Sequence, residues 1–223
     1  MYITCLNCGE IQPKQEPKVY NLNTILVEGG DDEQFISGLI KKRNINIKEL
    51  TIDICGGYPK IIKSIENLSR HEGYGSMRRL IVIADANSVG VKNRFESIIK
   101  SIDKNEFTIP NSIGVLSNKE HDKRQFGVFL FPDNVNNGAI EDLCMNALIN
   151  KDNLKAVDSF IKSLIEKGIL EEGDHNISKR KIHIYMAMSK NPTGNIGGAV
   201  KQGEINFESN EFDLLEKFLK SIG

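Results

Sequence analysis

The stretch Thr24-Ile25-Leu26-Val27-Glu28-Gly29-Gly30-Asp31-Asp32 decides the fold of this chain. Its first four residues form a short apolar run that stops at an acid and two glycines, as a buried strand does when it enters a turn. Asp31 or Asp32 can cap a following helix. The next apolar residues recur at helical spacing, at Phe35, Ile36, Leu39 and Ile40. The stretch therefore predicts a strand, a glycine turn and a helix in succession.

The same unit occurs twice more downstream. Residues 50–54 form a second apolar run, which is followed by Gly56-Gly57 and by apolar residues at helical spacing. Residues 80–84 form a third run, and its unbroken apolar character is typical of a strand covered on both faces. Three such alternations predict an α/β layered fold with a largely parallel central sheet, helices on both faces and right-handed crossovers.

The rest of the chain predicts more strands and then helices. Residues 113–116 and 126–131 have the apolar character of strands, and Pro132 stops the second one. Beyond residue 138, apolar residues recur at helical spacing up to the C-terminus. We therefore expect a polar leader over residues 1–20, an α/β core over 21–150, and a helical C-terminal extension over 151–223 that packs on the core.

Composition narrows the class of protein. With 39% hydrophobic and 26% charged residues among 223, the chain has the mixture of a folded domain, not of a disordered one. No run approaches the roughly 18 apolar residues of a spanning helix, and the N-terminus lacks a secretory signal pattern, so we expect a cytoplasmic protein. The formal net charge of −1 leaves any attraction to nucleic acid to local basic patches. These patches are Lys41-Lys42-Arg43, Arg78-Arg79, Lys119 with Lys123-Arg124, and Lys179-Arg180-Lys181.

The four cysteines do not predict a metal site. Cys5 and Cys8 form a single C-x-x-C, whereas a zinc ribbon needs a second pair. Cys55 and Cys144 stand alone in apolar segments, which favours buried thiols. A dimer that shares two C-x-x-C pairs is the alternative.

Acidic residues follow the predicted strands where each strand ends. Glu28 follows the first strand, Asp85 the third, and Asp133 the strand at 126–131. Glu141 and Asp142 open the helix just downstream. Ligands of an open parallel sheet bind outside the carboxyl ends of the strands, so these carboxylates are expected to meet there. Carboxylates that meet repel one another unless cations lie among them, and Mg²⁺ or Mn²⁺ prefers such oxygen ligands.

Several of these acids also have a purely structural explanation. Asp32 has the position of a helix cap, Glu141 that of a first-turn acid favoured by the helix dipole, and Asp85 that of a turn residue. It is the joint pattern of strand-end acids, with the Gly29-Gly30 turn beside them, that favours metal binding.

Four ordered blocks of the chain resemble the motifs of Toprim domains. They are residues 27–32 (VEGGDD), 81–87 (IVIADAN), 131–134 (FPDN) and 138–143 (GAIEDL). The chain is similar in particular to a small prokaryotic family related to the overcoming-lysogenisation-defect (OLD) class of nucleases. The likeness continues through residues 175–187 to a glycine-rich turn at 194–197, and it spans roughly residues 22–220. It implies a Toprim-like layered fold.

The resemblance also implies roles for individual residues. In Toprim domains a glutamate after the first strand and a D-x-D after the third hold divalent metal beside a phosphodiester. Glu28 would accordingly be a metal ligand or general base, and Asp32 the acid that closes the first motif. Asp85 would lead the D-x-D motif. Asn87 stands where its second aspartate is expected, which keeps a carbonyl ligand but removes a negative charge from the site.

The later blocks would supply a second metal site and a cation. Glu141, with Asp142, would hold the second metal. Lys179 would lie against the scissile phosphate, while Lys181 and His183 are rivals for that role. If this segment is helical, positions 179 and 183 share a face and position 181 points elsewhere.

The resemblance implies a phosphodiester-cleaving nuclease that acts on DNA or RNA with Mg²⁺ or Mn²⁺. It further implies the effector of a phage-defence or mobile-element system, with an ATPase partner and a homo-oligomeric state. The alternative is a degenerate Toprim module that binds nucleic acid or a partner protein without cutting, which Asn87 favours. A third possibility is an enzyme that uses the same carboxylates on a small phosphorylated nucleotide.

Overall fold

The computed structural model describes residues 2–4, 11–13, 20–174 and 176–223. Strands β1 (Tyr2–Thr4) and β2 (Ile11–Pro13) pair in antiparallel fashion. Cys5 and Cys8, with most of the predicted polar leader, lie outside the described residues.

The three predicted strand–helix units are present. They are β3 (Asn23–Val27) with α1 (Gly30–Lys42), β4 (Leu50–Ile54) with α2 (Tyr58–Glu66), and β5 (Arg79–Asp85) with α3 (Val91–Ser101). In each unit two to five residues separate the end of the strand from the start of the helix, because glycines allow the tight turn between them. All three helices therefore start at the same edge of the sheet.

Two further strands complete the sheet. Together with β6 (Phe107–Thr108) and β7 (Arg124–Phe131), the order is β4-β3-β5-β7-β6, and every neighbouring pair is parallel. Val27 of β3 is opposite Ile83 of β5, and Asp85 is opposite Phe131 of β7. The α/β fold class is thus confirmed, and the arrangement is consistent with a Toprim-like layered fold.

The predicted strand at residues 113–116 is wrong. Gly114 adopts a positive φ of 75°, which interrupts an extended backbone. Leu116 instead forms one isolated antiparallel bridge to Gly127.

The helices of the C-terminal half follow the sheet. They are α4 (Ile140–Met145), α5 (Lys151–Glu166), α6 (Ile177–Ala187), α7 (Ile196–Gln202) and α8 (Asp213–Lys220). The glycine-rich segment at 194–197, expected as a turn, includes the start of α7. There the side chain of Asn195 accepts a hydrogen bond from the amide of Gly198 and caps the helix.

The sheet separates two hydrophobic cores. Alternate residues of each strand point to opposite faces, as Ile25 and Leu26 of β3 do. Ile25 belongs to the core formed with α1 and α4 to α8, whereas Leu26 belongs to the core formed with α2 and α3. None of the helices in the described residues is both long and apolar enough to cross a membrane.

Candidate functional site

Glu28 joins three strand ends at the carboxyl edge of the sheet. Its Oε1 accepts a hydrogen bond from the amide of Asp85 (3.0 Å), and its Oε2 accepts one from the amide of Tyr58 (3.1 Å). Its main-chain carbonyl accepts from the amides of Gly56 and Gly57, each at 2.8 Å. Glu28 therefore holds together three segments: the end of β3, the turn after β4 and the end of β5.

Asp32 is buried in the first turn of α1. Its Oδ2 accepts a hydrogen bond from the amide of Gly29 at 2.8 Å, so it closes the first turn of the helix. Burial raises its pKa to about 7, and the negative charges of Glu28 and Glu141 contribute to the rise. Asp32 thus has both the structural role of a helix-terminal acid and a place among the strand-end carboxylates.

Asp85 is the most strongly perturbed of these acids. Burial raises its pKa to about 8, with further contributions from the charges of Asp32, Glu28 and Glu141. Its Oδ1 accepts a hydrogen bond from the amide of Ile140 at 3.1 Å, which opposes the rise only in part. This bond joins the end of β5 to the start of α4.

The first turn of α4 brings Glu141 and Asp142 to the same edge. Burial raises the pKa of Glu141, and the positive charge of Lys179 partly offsets that rise. Asp142 accepts hydrogen bonds from the amide of Ala139 (2.8 Å) and from the hydroxyl of Ser178. The second predicted pair of acids is therefore connected to α6 as well as to the sheet.

Asn87 follows β5 in the left-handed conformation, with φ of 48°. Asparagine tolerates this conformation better than most residues. The main-chain amide of Asn87 donates a hydrogen bond to the main-chain carbonyl of Gly138 at 2.7 Å. With Asp142 and Ser178 it lines a recess of about 320 Å³, so the departure from the D-x-D motif lies beside the second pair of acids.

The three cation candidates on α6 are in different surroundings. Lys179 is exposed, and its charge acts on Glu141. Lys181 instead forms an ion pair with Asp158 of α5 at 2.6 Å, so it is engaged between helices. His183 is exposed and lies one turn beyond Lys179 on the same face.

Asp133 is engaged in its own loop. Its Oδ1 accepts from the amides of Val135 (3.0 Å) and Asn136 (2.7 Å), and its Oδ2 accepts from the side chain of Asn136 (2.6 Å). Partial burial raises its pKa, but these hydrogen bonds outweigh burial and lower the value below its usual range. Asp133 therefore stabilises the loop after β7, and it does not contribute to the raised pKa values described above.

Sequence reasoning did not identify Asp31 as a member of the carboxylate group. Its charge contributes to the raised pKa of both Asp32 and Glu141. Its Oδ1 accepts a hydrogen bond from the amide of Gly197 at 3.3 Å, where α7 begins. The signal for Asp31 is its position beside Asp32, directly after Gly29-Gly30, but the sequence alone favours for Asp31 the role of a helix cap.

The donor chemistry of this edge fits a hard divalent cation. The acids that interact electrostatically are Glu28, Asp31, Asp32, Asp85, Glu141 and Asp142. All are oxygen donors, which suits Mg²⁺ or Mn²⁺. Among the described residues, no group of three or more acidic, histidine or cysteine side chains already has the geometry of a metal site. Glu28 can still coordinate, because each carboxylate oxygen has a second lone pair beyond its hydrogen bond.

Comparison with known proteins places the chain in a family. No curated protein matches it, and no solved structure matches it. A family model matches residues 22–223, a span that includes the whole five-stranded sheet, the five C-terminal helices and every acid described above. The chain therefore belongs to the family described as Protein of unknown function (DUF3226).

Proposed function

We propose that this protein is a Mg²⁺- or Mn²⁺-dependent nuclease that cleaves phosphodiesters with a Toprim-like site. The observation that carries the proposal is the meeting of acids from β3, β5 and α4 at one sheet edge, where the pKa of Asp85 is raised to about 8. Burial is the main cause of this rise and repulsion by the neighbouring acids adds to it, so the metal-free protein holds these carboxylates at a cost in stability. A cation among them removes that cost.

The proposed roles follow the positions of the side chains. Glu28 and Asp85 would hold one cation, and Glu141 with Asp142 would hold another, while the buried Asp32 would add negative charge that interacts with that of Glu28. Asn87 contributes its carbonyl oxygen beside Asp142. Cations held by these residues would polarise the phosphoryl oxygens and would lower the pKa of a coordinated water.

Lys179 and Glu28 are the residues proposed to act on the phosphate and on the attacking water. Lys179 places its charge near the phosphate, where negative charge develops during cleavage. In the alternative role to that of metal ligand, Glu28 would accept the proton of the attacking water as general base. Its two hydrogen bonds to main-chain amides fix its orientation.

The resemblance to OLD-class nucleases extends this proposal to a biological setting. In that setting the protein is a cytoplasmic homo-oligomer that acts with an ATPase partner in phage defence or in a mobile element.

A module that binds nucleic acid or a protein without cutting is the second candidate. Two observations favour it. Asn87 replaces a charged ligand, and both carboxylate oxygens of Glu28 are already engaged with main-chain amides. Weak metal affinity would follow from both.

The two candidates are separated by a cleavage assay with a matched control. Purified protein is incubated with Mn²⁺ and, in turn, supercoiled plasmid, single-stranded DNA, RNA and free nucleotides. We expect the parent protein to cleave a polynucleotide and the Asp85→Asn variant to be inactive. The Asp133→Asn variant makes the same change in a nearby acid that is engaged in its own loop, and we expect it to retain activity. If no polynucleotide is cleaved, the binding module is the better proposal, and cleavage of free nucleotides alone indicates a small-molecule enzyme.

A further inference from the structure

We propose that a basic groove at the amino edge of the sheet binds the phosphate backbone of nucleic acid. The groove has a volume of about 300 Å³. The charged side chains and the histidine that line it are Arg78, Arg79, Lys119, Glu120, His121 and Lys123. We call these residues the basic groove. Four cations and one carboxylate thus line the groove, and Asp122, whose Oδ1 lies 2.7 Å from Nδ1 of His121, adds a second carboxylate beside it, in a protein with a net charge of only −1.

The groove exists because two basic patches that are distant in sequence become neighbours. Arg79 begins β5, and it is opposite Gln125 in the register of β5 with β7. Lys119 and Lys123 lie in the segment that leads into β7. Parallel pairing of these two strands therefore brings both patches to one place at the amino edge.

The arginines are held in position by neutral groups. Arg79 donates to the side-chain oxygens of Gln125 (3.1 Å) and Asn23 (2.9 Å), whereas Arg78 donates to main-chain carbonyls. These partners orient the guanidinium groups without cancelling their charge. An oriented guanidinium is suited to a phosphate, because its N–H groups can engage two phosphate oxygens at once.

The lysines are available as point charges. Lys119 is exposed. Lys123 lies 3.5 Å from Glu120 in a solvent-exposed pair, and such pairs contribute little and break readily. Binding of phosphate at these lysines would therefore cost few existing interactions.

The basic groove is separate from the carboxyl edge of the sheet, where Glu28, Asp85 and Glu141 lie. β5 runs from Arg79 at the groove to Asp85 at the acids, a span of about 20 Å at roughly 3.3 Å per residue. An acidic peptide could also bind a basic groove. We choose nucleic acid as the ligand because of the proposed nuclease function, and in this respect the inference rests on that proposed function.

The inference is tested by the salt dependence of binding. The ligand is a fluorescently labelled 20-nucleotide single-stranded DNA, and its anisotropy is measured across a series of salt concentrations in EDTA, so that cleavage is absent. The test variant is Lys119→Ala with Lys123→Ala. We expect the slope of log affinity against log salt to decrease by about 1.4, which corresponds to two lost phosphate contacts on a single strand.

A matched control removes the same charge elsewhere. Lys155 and Lys162 are exposed lysines of α5 that form the same kind of short-range pair. The variant Lys155→Ala with Lys162→Ala should keep the parent slope. The proposal is overturned if the parent protein does not bind the oligonucleotide, if the groove variant keeps the parent slope, or if both variants lose slope equally. Tighter binding of poly-glutamate than of the oligonucleotide would equally overturn it in favour of an acidic protein partner.

The same assay separates this inference from the proposed nuclease activity. Anisotropy in EDTA reports binding alone, whereas the Mn²⁺ assay on the same parent protein and groove variant reports cleavage. Failure of the proposed function would appear as absent cleavage with a normal slope. Failure of the present inference would appear as an unchanged slope in the groove variant while the parent protein still cleaves.

Discussion

Asp85 links the proposed chemistry to the stability of the metal-free protein. Its pKa rises from 3.8 to about 8 in the folded protein, so between these values the folded state holds a proton that the unfolded chain releases. The stability that this proton contributes is complete below the unfolded value and is lost as the pH rises through about 8. We expect the free energy of unfolding in EDTA to fall with rising pH, by up to about 1.4 kcal/mol per pH unit for each such proton.

The Asp85→Asn variant should remove much of this pH dependence. Asparagine can keep the hydrogen bond from the Ile140 amide while it carries no charge. The stability of the variant relative to the parent should increase steadily from pH 5 to about pH 8 and then level off, as measured by urea unfolding in EDTA. The Asp133→Asn variant is the control, since the pKa of Asp133 is below its usual range and its charge is constant in this window. A parent protein whose stability does not fall between pH 5 and pH 9 would contradict the raised pKa of Asp85, which burial and the neighbouring charges cause.

Asn87 offers a test with opposite signs in the presence and absence of metal. Asn87→Asp restores the charge of a D-x-D motif at nearly constant shape, and aspartate also tolerates the left-handed conformation found here. We expect a lower Mn²⁺ requirement for cleavage, because hard cations respond to ligand charge. In EDTA the same variant should melt at a lower temperature than the parent. If the difference in melting temperature between Asn87→Asp and the parent protein is the same with and without Mn²⁺, residue 87 does not face the cation.

The sequence predicts the acids of this edge better than it predicts their interactions. Glu28 and Asp85 are recognisable because each directly follows an apolar strand. The hydrogen bond between Glu28 and the amide of Asp85 depends on β3 and β5 being neighbours, and a local pattern does not contain that information. The contribution of Asp31 depends in the same way on where α4 and α7 pack.

At the scale of elements, the turn before α4 controls the second pair of acids. Gly138 has a φ of 149°, and a Cβ placed on it would lie 2.6 Å from Oδ2 of Asp142. We expect Gly138→Ala to lower the free energy of unfolding by about 1–3 kcal/mol and to weaken Mn²⁺ binding, since it displaces Asp142. Gly75→Ala is the control, because no atom lies within 4 Å of its added Cβ and its backbone conformation is ordinary. Equal stability of the two variants in urea unfolding would show that this turn adapts without cost.

Helix α6 presents its lysines to different partners, which gives a paired test. Lys179 acts on Glu141 at the carboxylate edge, whereas Lys181 pairs with Asp158 of α5. We expect Lys179→Ala to abolish cleavage with little change in melting temperature. Lys181→Ala should leave cleavage intact and cost at most about 1 kcal/mol of stability. The reverse result in the plasmid assay would assign the phosphate contact to Lys181.

An element can be predicted from the sequence when the residues that cause it lie within the element itself. The repeated strand–glycine–helix units carry their signal within each segment, and all three are present. Residues 113–116 are apolar enough for a strand, yet the positive φ of Gly114 allows only an isolated bridge at Leu116. The short strand β6 has only two residues, too few to show an alternating pattern.

At the scale of the whole molecule, charge is separated between the two edges of the sheet. Acids gather where the strands end, and the basic groove lies where β5 and β7 begin. The net charge of −1 gives no sign of this separation, because the positive and negative charges of the whole chain nearly cancel. Strand order produces it, because only the pairing of β5 with β7 unites patches that are distant in sequence.

The most direct test of the account is calorimetric titration of Mn²⁺ into the metal-free protein at pH 7.5, for the parent and for Asp85→Asn. The central claim is that the carboxylates from β3, β5 and α4 hold a divalent cation. We predict saturable binding of one or two Mn²⁺ ions by the parent, with protons released because raised pKa values fall on coordination. Affinity should be at least about tenfold weaker in Asp85→Asn, and it should be unchanged in Asp133→Asn. Absence of saturable Mn²⁺ binding by the parent, or equal affinity in the parent and Asp85→Asn, would contradict the claim.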